Sequence, residues 1–363
     1  MTPLGRRIAR RIARHGPITV ADYMAQALTD PESGYYMQGD PFGPRGDFVT
    51  APEVSQMFGE LIGLWCVDSW QRMGAPAEFL LVELGPGRGT LMADALRATR
   101  LMPAFLDAAE VYLVEASPSL RARQAETLGS ARASWNDSLS ELPEAPLLVI
   151  ANEFFDALPV RQFERRAEGW CERLVVLDSA GELAFGRSQA DPAIELLLPA
   201  ALRAAPGGSL VEVSPAALGL AAEIGRRVAG KGGARGGAAL IIDYGHAESR
   251  PGATLQALRR HARYEVLSDP GEADLTAHVD FAALAQAAAA AGAACQGPVA
   301  QGTFLARLGL GARAEALLRT ATPEQGRDIE AARARLAGPE QMGEHFKALA
   351  LAHPDLGPLA GFD

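Results

Sequence analysis

The chain has 363 residues, with 34 Lys and Arg against 44 Asp and Glu and a formal net charge of −10, a balance that argues against a general nucleic-acid binder. Its three cysteines, Cys66, Cys171 and Cys295, stand far apart without a C-x-x-C pair, which speaks against a disulfide framework or a cysteine zinc site and for a reducing compartment. No apolar run reaches the roughly 20 residues a membrane-spanning helix needs, so stable membrane insertion is not expected.

The first segment carries Arg6, Arg7, Arg10, Arg11 and Arg14 with Leu4, Ile8 and Ile12 and no acid. An organelle transit peptide has this character, and so does a folded amphipathic helix. Because Gly16-Pro17-Ile18-Thr19 leads directly into a second helical pattern from Val20 to Leu28, the folded helix is the reading taken. A loop rich in Gly, Pro and aromatics follows from Pro31 to Pro52. With Tyr35, Tyr36 and Phe48 it is a lid over a site or a segment packed on a sheet edge. A helix is expected from Glu53 through Trp70, so residues 1–75 form an N-terminal helical and lid region.

The stretch Phe79-Leu80-Leu81-Val82-Glu83-Leu84-Gly85-Pro86-Gly87-Arg88-Gly89-Thr90 joins an apolar strand to three alternate glycines and then a helix. Glycines let the backbone turn sharply and approach a ligand closely. Glu83 chooses the ligand. A carboxylate beside the turn repels the pyrophosphate of a dinucleotide, which wants bare N–H groups at a helix N-terminus, and attracts the ammonium and sulfonium of S-adenosylmethionine (SAM). The spacing agrees, because the dinucleotide fingerprint is G-x-G-x-x-G with an acid roughly 20 positions on. Here the glycines run G-x-G-x-G, and the next strand-end acid, Glu115, lies 30 positions after Gly85. Glu83, Gly85, Pro86, Gly87 and Gly89 are therefore assigned to the cofactor's amino-acid end. Glu115 is assigned to its ribose, and Asp137, after Trp135-Asn136, to its adenine amine. The bland alternative is a strand-to-helix loop with no ligand.

Strand-like runs recur at Leu80 to Leu84, Val111 to Glu115, near Trp135 and at Leu147 to Ala151, with helices between the first three, which predicts parallel strands. After the fourth comes Asn152-Glu153-Phe154-Phe155-Asp156-Ala157-Leu158-Pro159. Ligands in open α/β sheets bind outside the carboxyl ends of the strands. Two carboxylates, an amide and two rings there can hold a nitrogen nucleophile, or else cap the next helix and pack in the core. Residues 160 to about 190 break into short runs at Val160 to Phe163, Cys171 to Leu177 and Leu183 to Gly186, expected as antiparallel strands within an insertion at about 160–236 in a domain spanning 76–363.

A helix from Pro215 to Val228 precedes the Gly-rich segment Gly230 to Gly237 and a buried strand, Ala239 to Asp243. The residues that follow, Tyr244-Gly245-His246, offer His246 as a general base or as a solvated side chain; Asp243 either bonds substrate or caps a turn. Asp280 reads as an N-cap for the helix Phe281 to Ala291. Further strands are expected at 303–310 and 346–351, with helix from Ala312 to Leu336 between them. No H-E-x-x-H, G-x-S-x-G or P-loop pattern occurs, so neither a metal site nor those nucleophile and phosphate chemistries are expected.

These motifs together resemble the MidA-like SAM-dependent methyltransferase family. The resemblance covers nearly the whole chain and is carried by Gly34-Tyr35-Tyr36, the block Gly46 to Glu60, Val82 to Thr90, Ala151 to Pro159, Ile242 to His246, Asp274 to Phe281 and Gln301 to Leu305. Ala51 departs from it, standing where the pattern Thr-Ser-Pro-Glu has serine. The resemblance implies an α/β, class I, Rossmann-like fold with a mostly parallel sheet, an N-terminal helical extension and inserted antiparallel strands. It implies SAM as cofactor and a protein arginine as acceptor, in the 49-kDa-type, quinone-site subunit of NADH dehydrogenase during complex I assembly. Asn152, Glu153 and Asp156 are assigned to the acceptor nitrogen, with His246 as reserve base. A SAM-binding assembly factor without catalysis and a small-molecule methyltransferase are the rival readings, and a homodimer stays open. The compartment would be the cytoplasm of a bacterium or the mitochondrial matrix of a eukaryote.

Overall fold

The computed structural model describes residues 1–38, 50–230 and 236–362. Its central sheet is built from β1 (Phe79–Leu84), β2 (Ala109–Val114), β3 (Ala133–Asn136), β4 (Leu147–Asn152), β5 (Gly237–His246), β6 (Ala294–Ala300) and β7 (Phe346–Ala352). The spatial order is β6-β7-β5-β4-β1-β2-β3. From β5 across to β3 all neighbours pair parallel, and β7 runs antiparallel to both β5 and β6. Every residue of β1 and β4 is buried, as continuous apolar strands must be when helices cover both faces of a parallel sheet.

The helices of seven or more residues are α1 (Pro3–His15), α2 (Val20–Thr29), α3 (Gln56–Arg72), α4 (Thr90–Thr99), α5 (Pro118–Leu128), α6 (Pro215–Ala229), α7 (Phe281–Ala290), α8 (Gln301–Arg307), α9 (Leu310–Leu318) and α10 (Pro323–Ala337). Alternation along a strand sends successive side chains to opposite faces. Leu81 and Ile150 pack with Phe58, Leu61 and Trp65 of α3 and with the C-terminal helices, whereas Val82 and Val149 pack with Ile224 and Val228 of α6 and Leu284 of α7. Glu83 follows Leu81 onto the α3 face.

The Arg-rich start is the folded helix α1. Thr2 caps it by accepting from the Gly5 N–H at 3.0 Å, and Leu4, Ile8 and Ile12 join Tyr23 and Met24 of α2 in a third core. Against that core lies an antiparallel sheet in which Gly169–Leu177 pairs with Ile18–Thr19, Arg161–Arg166 and Leu183–Arg187. A second small sheet, Gln256–Arg259 with Ala262–Tyr264 and Asp274–Thr276, had no counterpart in the sequence reading.

Several expectations need correction. Residues 303–310 are not a strand: Phe304 and Leu305 are buried in the helix α8, where packing overrides their strand propensity. The true neighbour of β7 is Ala294–Ala300. The alanine-rich helix ends at Ala290, and Gly292, at φ +106°, turns the chain into that strand. The helix expected from Glu53 to Trp70 is broken at Ser55, extended at φ −165°, which caps α3 by accepting from the Met57 N–H at 3.2 Å. The helix expected over Ala312 to Leu336 is two, α9 and α10, separated before Pro323 and capped anew by Thr322. Phe48 and the centre of the expected lid lie outside the described residues.

A buried ion network clamps the C-terminal helices to the sheet's α3 face. Glu60 of α3, 7% exposed, accepts from Arg313 Nε at 2.7 Å and Nη2 at 3.0 Å and from Arg97 Nη2 at 3.0 Å. Removing one member of a buried pair leaves uncompensated charge and costs about 3–5 kcal/mol. Since Arg97 and Arg313 reach solvent, Glu60→Ala should lose about 2 kcal/mol in urea unfolding, below that scale and above the roughly 0–1 kcal/mol of a surface pair.

Candidate active site

The order of strands reverses between β1 and β4, which places a crevice at their carboxyl ends; the assigned residues stand at or just after the ends of β1, β2, β3, β4 and β5. Gly85, Gly87 and Gly89 all adopt left-handed φ values, +60°, +53° and +80°, where a side chain is strained. Gly85 has a second requirement, because a Cβ there would sit 2.5 Å from the Phe154 ring. The turn from β1 into α4 thus touches the loop after β4. It is closed by the Gly89 N–H donating to the Pro86 carbonyl at 2.7 Å.

Glu83 stands just before this turn, 3% exposed. Burial pushes its carboxyl up to about 8, with the first-turn N–H of Met92 in α4 pulling the other way. Its Oε2 is buried without a hydrogen-bond partner among the described residues. An unsatisfied buried carboxylate oxygen is costly, and a cationic ligand at the turn would relieve it.

Glu115, directly after β2, is also buried. Its Oε1 accepts from the Ser117 N–H at 2.8 Å and its Oε2 from Gln124 Nε2 at 3.1 Å, and burial raises its carboxyl. Gln124 of α5 was missed by the sequence reading. Fully buried, it also donates to the Gly87 carbonyl at 2.8 Å and accepts from Trp135 Nε1 at 2.8 Å, so one amide ties together the glycine turn and the ends of β2 and β3. Asp137 follows β3, is largely exposed, and pairs with Arg121 at 2.5 Å.

After β4 the chain turns through Glu153, which takes φ +50°, an uncommon conformation for a side-chain-bearing residue. The turn is fixed by Asp243, three residues before the end of β5. Its Oδ2 accepts from the N–H groups of Phe154, Phe155 and Asp156 at 3.1, 2.9 and 3.2 Å, and its Oδ1 from the Tyr244 N–H at 2.9 Å. Of the two readings of Asp243, the structure supports the cap.

Glu153 Oε1 accepts from the Ala51 N–H at 2.7 Å and from Asn152 Nδ2 at 3.2 Å, while Asn152 Oδ1 is buried with no partner among the described residues. Burial pushes Glu153 up to about 7. Asp156 is likewise pushed up to about 7, by burial first and by the Glu153 charge second. Acids shifted this way mark a place prepared for a cation or a proton. Glu153 and Asp156 line a cavity of about 950 Å³ together with Tyr36, Tyr244 and His246.

His246 reaches this cavity, and burial lowers its pKa. Its ring lies 6.5 Å from that of His278, and its Nδ1 has no partner among the described residues. Tyr244, between His278 and Phe346 at 5.2 and 5.7 Å, lines the same cavity as Asp156 and accepts from Gln256 Nε2 at 3.4 Å. Tyr36 donates to Asp274 at 2.8 Å.

A family model described as a putative S-adenosyl-L-methionine-dependent methyltransferase matches residues 61–299. The Drosophila melanogaster protein arginine methyltransferase NDUFAF7 homolog, mitochondrial, is 40% identical, with 99% of this chain and 88% of the relative covered. The human protein of that name is 37% identical, with 97% and 83% covered. A crystal structure of a Burkholderia thailandensis protein bound to S-adenosyl-homocysteine superposes with a TM-score of 0.85 at 31% identity, covering 99% of this chain and 93% of that one. With its glycine turn at the switch point of the sheet and its acids around the crevice, the chain belongs to this family of S-adenosyl-L-methionine-dependent methyltransferases.

Proposed function

We propose that this protein is a protein arginine N-methyltransferase that uses SAM and acts on the quinone-site, 49-kDa-type subunit of NADH dehydrogenase. The observation that carries the cofactor half is the buried Oε2 of Glu83, without a partner among the described residues, beside three left-handed glycines. In this reading Glu83 receives the ligand's ammonium, and Gly85, Pro86, Gly87 and Gly89 let the backbone approach it. Glu115 accepts ribose hydroxyls with the lone pairs that Ser117 and Gln124 leave free. Asp137 accepts from the adenine amine.

When bound, SAM supplies an electrophilic methyl group on a sulfonium, whose displacement rests on alignment and needs no metal. The acceptor sets the harder demand, because a guanidinium stays protonated at physiological pH and must give up a proton as its new C–N bond forms. Glu153 and Asp156 orient the guanidinium and take that proton, with Asn152 Oδ1 accepting from the nitrogen that reacts. Phe154 and Tyr244 shield the site from water. His246 lines the same cavity as a second proton acceptor. The relatives' printed names support a protein arginine as the acceptor.

Calorimetry should show micromolar binding of S-adenosylhomocysteine and no heat with NAD. Mass spectrometry of the quinone-site subunit should find methylarginine only in cells that make this protein. Binding of NAD, or the same methylarginine in both cell lines, would defeat the proposal.

A further inference from the structure

The short helix Ala51–Val54 touches both halves of the site. Its third residue, Glu53, is largely buried; its Oε1 accepts from Thr90 Oγ1 at 2.5 Å and its Oε2 pairs with Arg88 Nη1 at 3.5 Å. Thr90 is the first residue of α4 and Arg88 lies inside the glycine turn. Two residues earlier, the Ala51 N–H donates to Glu153 Oε1 at 2.7 Å. Thr50 closes the turn between them, its carbonyl accepting from the N–H groups of Glu53 and Val54 at 2.9 and 3.1 Å, and Pro52 restricts φ within it.

We propose that Glu53 is a positioning residue that couples the cofactor turn to the acceptor carboxylate, through Thr90 and Arg88 on one side and the Ala51 hydrogen bond to Glu153 on the other. The inference rests on the cofactor reading above. A ligand that fixes the glycine turn fixes Thr90 and Arg88, these fix Glu53, and the rigid turn then holds the Ala51 N–H against Glu153. Coupling of this kind is reciprocal, so an ordered Glu153 also favours the ordered cofactor turn. It ties the orientation of the proton acceptor to the presence of the methyl donor.

The Ala51 amide is the reporter. In the full-length protein, saturating S-adenosylhomocysteine should slow hydrogen exchange at Ala51 at least tenfold. In Glu53→Ala, saturated with the same ligand, the slowing should fall below twofold. Glu53→Gln keeps an acceptor for Thr90 and should restore most of it. If Glu53→Ala does not fold, Thr90→Val removes the same hydrogen bond at similar volume and should show the same loss. If Ala51 exchanges faster in the variant but the ligand still slows it by the wild-type factor, Glu53 merely supports the fold and the coupling is overturned. Calorimetric heat without any protection of Ala51 in the wild type overturns the coupling alone, whereas absence of heat overturns the cofactor reading with it.

Discussion

The Glu83→Gln protein should bind SAM about a hundredfold more weakly than the wild type by calorimetry, a loss of about 2.8 kcal/mol, while its ligand-free fold is at least as stable at pH 8. Glutamine keeps an oxygen for the Met92 N–H but cannot meet an ammonium with a charge. Hydrogen bonds to charged groups are worth about 1.5–3 kcal/mol, and losing a desolvated charge partner across an interface costs about 2–5 kcal/mol or more. Both ranges include the expected loss.

The pH dependence gives this prediction a second arm. Burial raises the Glu83 carboxyl from its ordinary 4.5 to about 8 in the ligand-free protein. A folded-state value above the unfolded one means that this group's contribution to stability is full below about pH 4.5 and is lost as pH rises through 8. Glutamine removes that slope. SAM affinity runs the other way: it needs the carboxylate, so it rises with pH toward 8, and binding below pH 8 releases a proton. The ligand's own α-ammonium titrates near 7.7–8.0, so affinity should peak close to pH 8. Unchanged affinity and an unchanged pH profile in Glu83→Gln would remove Glu83 from the cofactor site.

The parts of this molecule legible in its sequence are those where one local pattern carries its own explanation. The apolar run of β1, the alternate glycines and the acid before them announce a buried parallel strand and a ligand-facing turn, because nothing distant is needed to specify them. The acids after β4 were visible for the same reason. Gln124 was not, since a polar residue in the middle of a helix looks solvated until the fold buries it between three strand ends. Asp243 left two readings open because its partners lie almost 90 residues earlier. Alanine conceals boundaries in another way: it suits a helix and is tolerated in a buried strand, so the end of α7 and the start of β6 rest on Gly292 and on pairing with β7. At Ser55 the local signal existed, a helix-capping residue beside an apolar run, but the helical pattern on both sides outweighed it. That break matters for function because it frees Ala51–Val54 from α3 to reach the site.

Neutralising the acceptor carboxylates should have the largest effect on turnover. Glu153→Gln and Asp156→Asn should each lower methyl transfer at least a hundredfold, and the double variant about 10³- to 10⁴-fold, within the range general acid–base catalysis supplies. Calorimetry should show SAM binding within twofold of wild type, because neither side chain is assigned to the cofactor and the glutamine of Glu153→Gln would still offer an oxygen to the Ala51 N–H. The losses should not add, since both carboxyls line one cavity and the charge of Glu153 acts on Asp156. Both are pushed up to about 7 by burial, and the charge of Glu153 adds to the shift of Asp156. At pH 6 each of the two carboxyls is therefore mostly protonated and cannot take a proton from the acceptor. The wild-type rate should rise with pH through 7 and then level, while each single variant loses or displaces that rise. A bound guanidinium lowers both values, so the rise in turnover at saturating acceptor should lie at lower pH than the rise in kcat/KM, which reports the free enzyme. Full methyl transfer by the double variant would assign the proton to another group in the cavity, with His246 the first to replace.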